Sequence, residues 1–231
     1  MEFTGERVVP GKTPQEIYKE HMDRYIFAAS LTENKDVLDV ACGTGYGVDY
    51  LVENGARTAT GVDVSIEALD FARDRFGDNE RVSFVCADGV KLPFVDYSFD
   101  VVVSFETLEH IRPYRRFLAE CKRVLKDSAF LICSTPNRRV FSPNLEKPLN
   151  PFHVKEFWPE EFYRLLSRYF GDISLYGQCD VNLADNSVER DCGVREFKDG
   201  EHTASGYIIA VARKEARGRP PCQRPESQSS S

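Results

Sequence analysis

The sequence predicts an α/β fold: a doubly wound, mostly parallel seven-stranded sheet with helices on both faces and an N-terminal helical lid. Three observations carry this. Between residues 36 and 134 apolar runs alternate with amphipathic stretches, the pattern of βαβ units. The first of these runs ends in a glycine-rich turn at residues 43–47, and two more apolar runs follow a proline-rich loop late in the chain.

The apolar runs lie at 37–41, 58–62, 82–86, 99–105 and 129–134, and helices are expected between them at 47–54, 66–76 and 114–125. In the last helix Phe117, Leu118, Cys121, Val124 and Leu125 recur at steps of three and four, so one face packs on the sheet. Ser65 stands where an N-cap accepts a helix-opening amide, and Asn54-Gly55 is a helix stop. Residues 13–31 read as a helix opened by Pro14, with Ile17, Tyr18, His21, Tyr25 and Ala28 on one face. The loop holding Pro143, Pro148 and Pro151 is too long for a plain connector and is expected to bind a ligand. A helix at 160–167 and strands at 173–176 and 207–212 complete the pattern, with a polar excursion or hairpin at 185–203. The expected organisation is an extension and lid at 1–35, a main domain at 36–213 and a disordered tail at 214–231.

Hydrophobic residues at 42% and aromatics at 12% supply a globular core. A net charge of −7 offers no basic face for a nucleic-acid duplex, so no nucleic-acid partner is expected. The start of the chain lacks the pattern of a signal peptide, and no apolar stretch approaches the roughly 20 residues of a membrane helix. A cytoplasmic protein without an integral membrane segment is the expectation. Seven cysteines, an odd number without C-x-x-C spacing, predict neither a disulfide framework nor a zinc site, and no metal site is expected.

The string Val37-Leu38-Asp39-Val40-Ala41-Cys42-Gly43-Thr44-Gly45-Tyr46-Gly47 ends a buried strand and turns into a helix. Ligands of open α/β sheets bind beyond such strand ends, where glycines let backbone amides approach them. The order Gly43-x-Gly45-x-Gly47 departs from the dinucleotide spacing G-x-G-x-x-G. Asp39 precedes the turn, where a carboxylate would repel a pyrophosphate and suit a cationic amine. Asp63 closes the next strand; it can accept from ribose hydroxyls and by itself does not discriminate. Asp88, after the third strand, can accept from an adenine amino group.

These residues, with Ala87-Asp88-Gly89-Val90-Lys91-Leu92-Pro93-Phe94 and Glu106-x-x-Glu109-His110, resemble the class I S-adenosylmethionine-dependent methyltransferases. The resemblance covers residues 37–137. It implies S-adenosyl-L-methionine as cofactor, with Asp39 near the methionine amino group and Gly43 and Gly45 along the carboxypropyl chain. It further implies Asp63 on the ribose, Asp88 on adenine, backbone amides of Cys42 and Thr44 on the ligand, and Val64, Ala87, Gly89 and Phe105 lining the same site. Ala41 departs from the family's first glycine and should narrow the pocket slightly.

Methyl transfer from a sulfonium demands alignment and exclusion of water. A hydroxyl acceptor also benefits from a base, for which His110 and Glu106 are candidates, with His153 on the later loop. His110 is equally readable as a cap or a cofactor contact, and His153 as a structural histidine. His21, beside Tyr18, could cover the sulfonium or pack in the core. The flanks Gly5-Glu6-Arg7-Val8-Val9-Pro10-Gly11, Glu20-His21-x-x-Arg24-Tyr25 and Asn150-Pro151-Phe152-His153-x-x-Glu156-Phe157 resemble prokaryotic methyltransferases of surface-polysaccharide and glycoprotein-glycan assembly. That resemblance implies a sugar-containing small molecule or lipid-linked glycan as acceptor, and peripheral contact with membrane-bound assembly machinery. A uronic-acid carboxylate would need cations, for which Arg138, Arg139, Lys147 and Lys155 are available, with Glu156 nearby; Arg138-Arg139 is equally a solvated pair. The rivals are a methyltransferase of a quinone or secondary metabolite, and a binding protein that keeps the fold without catalysis.

Overall fold

The computed structural model describes residues 7–188, 193–200 and 203–216. Strands β1 (Asp36–Val40), β2 (Thr58–Asp63), β3 (Val82–Cys86), β4 (Phe99–Ser104), β5 (Leu125–Pro136), β6 (Asp172–Asn182), β7 (Arg195–Glu196) and β8 (Thr203–Arg213) form one sheet. Their order is β3-β2-β1-β4-β5-β8-β6-β7. Strands β1 to β5 pair in parallel, while β8 runs antiparallel between β5 and β6. The expected seven strands are all present. The eighth, β7, is a two-residue strand inside the polar excursion, paired antiparallel with β6.

Strand alternation divides the core between the two faces. Val37, Val101, Val103, Ile132 and Ile209 pack on one side with Tyr25 and Ala28 of α1 (Gln15–Ala29), with α2 (Tyr46–Glu53) and with Leu69 of α3 (Ile66–Phe76). Leu38, Val40, Val102, Leu131 and Ile208 face the other way. There they meet Phe117, Leu118, Cys121 and Val124 of α4 (Tyr114–Val124) and Phe162 of α5 (Pro159–Leu166). The apolar face read from the spacing of α4 is therefore the buried one. The local signals also hold. Ser65 Oγ accepts from the Ala68 amide at 3.3 Å, and Gly55 ends the α2 connection at φ +105°.

Three expectations are corrected. The helix α1 turns Arg24 as well as Tyr25 and Ala28 inward, and leaves Ile17 exposed. The tail does not begin at residue 214, because Lys214 is buried and its Nζ donates to the Lys122 and Leu125 carbonyls that α4 leaves at its end; from residue 217 the tail lies outside the described residues. Cys179 is disulfide-bonded although the cysteine pattern pointed away from disulfides, and Cys42, Cys86, Cys121 and Cys133 are free. No described helix is long and apolar enough to cross a membrane.

Candidate functional site

The strand order reverses between β1 and β4, where an open parallel sheet leaves a crevice at its carboxyl edge. A cleft of about 960 Å³ opens there, within the size range of ligand sites. Its first half is built by the ends of β1, β2 and β3. Ala41 and Gly43 take left-handed backbone angles, φ +68° and +55°, and both line the cleft. Such angles leave a glycine unstrained but cost an alanine about 1–2 kcal/mol, which accounts for glycine as the usual occupant of position 41. Gly45 does not line the cleft: a Cβ there would lie 2.7 Å from Ala72 and Phe84, so its bareness lets α2 pack on α3 and β3.

Asp63 is placed by its backbone neighbours, accepting from the Gly43 amide at 2.9 Å and the Ser65 amide at 2.8 Å. Arg7 approaches it to 3.9 Å and lies over Gly43, closing this end of the cleft. Asp88 is exposed, with Oδ1 holding the Val90 amide at 3.0 Å and its other oxygen left to the cleft. Val64 is 67% exposed beside it, an apolar surface that a planar base can cover. Cys42, Ala87, Gly89 and Phe105 also line this half.

Besides Gly45, two expected ligand contacts lie outside the cleft lining. Thr44 is buried, its hydroxyl donating to the Val8 carbonyl at 2.9 Å, which ties the N-terminal segment to the turn. Asp39 is fully buried behind the turn and does not line the cleft. Strand alternation explains this, because Asp39 shares the face of Val37 and so lies under α1. Its Oδ2 accepts from the Tyr25 hydroxyl at 2.9 Å, while Oδ1 has no partner. Burial pushes the Asp39 carboxyl up to about 7, against the lowering effect of the Tyr25 hydrogen bond and with a smaller push from Asp63. Tyr25 is itself held edge-on between Phe105 and Tyr46.

The second half is walled by side chains from four separate parts of the chain. Glu20 and His21 come from α1; Glu106, Glu109 and His110 follow β4; Asn150, His153 and Glu156 come from the proline-rich loop; Tyr207 comes from β8. The loop is fastened to the wall by its backbone, the Val154 and Lys155 amides donating to the Glu109 carbonyl at 2.7 and 3.1 Å. Glu106 has a left-handed backbone at φ +49° and accepts from the Ser134 hydroxyl at 2.5 Å. Glu109 is fully buried, and burial followed by the charge of Glu106 raises its carboxyl well above the usual range. Burial also raises Glu20. His21 is held well below its ordinary value by burial and then by Arg24, so it is neutral at pH 7. Arg24 itself is wholly buried, bonded to Gln178 and set 4.9 Å over the Tyr207 ring.

The expected cations are not in this wall. Arg138 donates to the Leu145 carbonyl, Arg139 pairs with Asp199 and Glu160, and both guanidinium groups lie over Trp158 at 5.9 and 5.5 Å. Lys155 lines a separate pocket and pairs with Glu161 at 3.3 Å, and Tyr18 does not line the cleft but packs on Tyr46 with the rings tilted by 53°. Arg7, Glu20, Asn150 and Tyr207 escaped the sequence reading as site residues. The first three stand inside the quoted flank motifs, which was the available signal, whereas nothing local marks Tyr207. The mouth is apolar, with Ile17, Phe141 and Leu149 exposed at its rim.

The first half fits S-adenosylmethionine on its own chemistry: a turn of amides, one acid closing β2, a second, exposed acid after β3 beside an apolar shelf, and a polar second half where a methyl acceptor can stand. The fold is the Rossmann-like one of class I methyltransferases, and S-adenosylmethionine is the cofactor that this cleft fits. Residues 38–133 match the family model described as "Methyltransferase domain". A probable S-adenosylmethionine-dependent methyltransferase of Mycobacterium tuberculosis is 38% identical over 179 residues, covering 77% of this chain. The chain spans 64% of the length of that relative. A fatty-acid O-methyltransferase of Mycolicibacterium smegmatis is 34% identical over 119 residues, 51% of this chain and 43% of the relative. Among solved structures, a possible histamine N-methyltransferase of Thermotoga maritima shares the fold with a TM-score of 0.66 at 20% identity, over 87% of this chain and 94% of its own.

Proposed function

We propose that the protein is an S-adenosylmethionine-dependent O-methyltransferase acting on a hydroxyl of a sugar-containing small molecule or lipid-linked glycan. The observation that carries this reading is the make-up of the acceptor wall. Its polar groups are carboxyls, imidazoles, a threonine, an amide and a phenol, and among the described residues lining it there is no lysine or arginine. An anionic acceptor would meet like charge there, whereas a polyhydroxylated one meets hydrogen-bond acceptors and donors. The apolar rim of Ile17, Phe141 and Leu149 suits a lipid carrier and a peripheral approach to a membrane. Residues 1–35 serve as lid and 36–213 as the catalytic domain in this reading.

S-adenosylmethionine, when bound, supplies a methyl carbon made electrophilic by its sulfonium. The wall holds the acceptor oxygen against that carbon and excludes water. The methyl carbon would pass to the acceptor oxygen as its bond to the sulfonium sulfur breaks, leaving a neutral thioether, and Glu106, whose Oε1 is fixed by Ser134, would take the oxygen's proton on Oε2. Asn150 and Tyr207 orient the acceptor, and Phe105, Tyr46 and His21 shield the reacting centre.

The test is methyl transfer from labelled S-adenosylmethionine to a panel of nucleotide-linked neutral sugars, uronic acids, quinols and fatty acids. The expected product is an ether on a neutral sugar, stable to mild alkali; a base-labile methyl ester would refute the hydroxyl assignment, and transfer to a quinol alone would refute the sugar. Glu106→Gln is expected to lower kcat by about 10²–10⁴-fold with donor affinity unchanged. Asp88→Ala is expected to weaken the donor by roughly 1–3 kcal/mol.

A further inference from the structure

We propose that Glu109, His110 and His153 bind a divalent first-row transition-metal ion in the acceptor half of the cleft, where it holds an acceptor oxygen. The three side chains offer one carboxylate oxygen and two imidazole nitrogens that all lie within 4.8 Å of one another. The proposal rests on the acceptor half described above, but the metal is a property of the chain whatever the acceptor is.

The hydrogen bonds around the cluster set both imidazoles in the form that binds metals. His110 Nδ1 faces the Phe152 carbonyl at 3.2 Å, so Nδ1 carries the proton and Nε2 the lone pair. That Nε2 stands 4.0 Å from Glu109 Oε1. His153 Nδ1 donates to the buried Glu156 carboxylate at 2.9 Å. The Asn150 side-chain oxygen is occupied by the Phe152 amide at 3.0 Å, so its NH₂ group is the one that faces His153 Nε2, also at 3.0 Å. His153 Nε2 is therefore an acceptor, and a metal ion takes the place of that single amide donor. A carboxylate or carbonyl on the far nitrogen of each ligand is the usual outer support of a histidine metal site.

An independent observation points into the same space. Glu109 has no solvent exposure, its Oε2 accepts from Thr135 at 3.3 Å, and its Oε1 has no partner. A buried carboxyl oxygen without a partner is unfavourable, and a cation between Glu109 and the two rings, taking the place of any proton there, gives it one. Four-coordinate ligands at about 2.1 Å from a metal are roughly 3.4 Å apart, so the three groups close by about 1 Å on binding. Two imidazoles with one carboxylate select a transition metal over magnesium or calcium, which prefer all-oxygen sites. Three protein ligands leave a position for the acceptor oxygen, whose proton becomes easier for Glu106 to remove.

The test uses the untagged chain, stripped with a chelator and titrated with Zn²⁺ or Co²⁺ in a calorimeter without donor or acceptor. One ion per chain is expected, with Co²⁺ giving the intense visible absorption of a four- or five-coordinate site. His110→Ala and His153→Ala are each expected to weaken uptake by at least about tenfold, and Glu156→Gln by about 10–100-fold through His153 alone. Glu109→Gln keeps the shape of the buried side chain and is expected to lower affinity without unfolding, as followed by circular dichroism. Asp88→Ala should leave metal uptake unchanged, while His153→Ala should leave S-adenosylmethionine binding unchanged, so this site and the methyl-donor reading fail separately. No uptake of Zn²⁺ or Co²⁺ by the stripped chain, or equal uptake by the wild type and both histidine variants, overturns the proposal.

Discussion

Asp39→Asn tests how the fold treats the acid that the glycine turn carries on its strand. The folded carboxyl holds its proton up to about pH 7, whereas the unfolded chain releases it near 3.8. Folding therefore takes up a proton between these values, and stability falls as pH rises from about 4 to about 7 and is flat above. At about 1.36 kcal/mol per pKa unit this carboxyl withdraws at most about 4 kcal/mol. Asparagine has the same shape, keeps an oxygen for the Tyr25 hydroxyl and does not ionise. The variant is thus expected to gain on the wild type by a few kcal/mol between pH 4 and pH 8. Comparing the two proteins at both pH values cancels the cost of fitting the amide. The assay is urea unfolding followed by fluorescence of Trp158. A difference in stability between variant and wild type that is the same at pH 4 and pH 8 would show that Asp39 titrates normally, and would remove its burial as the dominant cause.

Two further outcomes are expected. In Gly47→Ala the new Cβ would fall 2.0 Å from the ring of Tyr25, which is boxed in by Phe105 and Tyr46, so the ring and α1 must shift. Overpacking of this kind costs about 1–3 kcal/mol, read as a lower urea midpoint, with weaker donor binding as the lid is displaced. Arg138→Ala and Arg139→Ala should leave acceptor KM within twofold in steady-state assays, because both guanidinium groups are turned to Trp158, Leu145 and Asp199; a tenfold rise in KM would return an anionic acceptor to consideration.

Everything in the sequence whose meaning is local was legible. The alternation of apolar runs fixed the parallel core, because a strand buried on both faces must be apolar at consecutive positions. The turn at Ala41–Gly45, the cap at Ser65 and the acids Asp63 and Asp88 could be read because each acts where its own strand ends. Even the placement of Asp39 was written in the alternation with Val37, since residues two apart share a face and that face is covered by α1.

Only the tertiary structure decided the acceptor half. Glu20, Glu109, His153 and Tyr207 are distant in sequence, and they meet because α1 folds over the sheet edge while the proline-rich loop is bonded back to Glu109. Arginines at 138 and 139 and a histidine at 153 look equally suited to a ligand in the one-dimensional string. Packing turned the arginines outward against Trp158 and the histidine inward onto Glu156. The methyl donor could be read from one strand end at a time, whereas the wall that faces it exists only once four separate segments have come together.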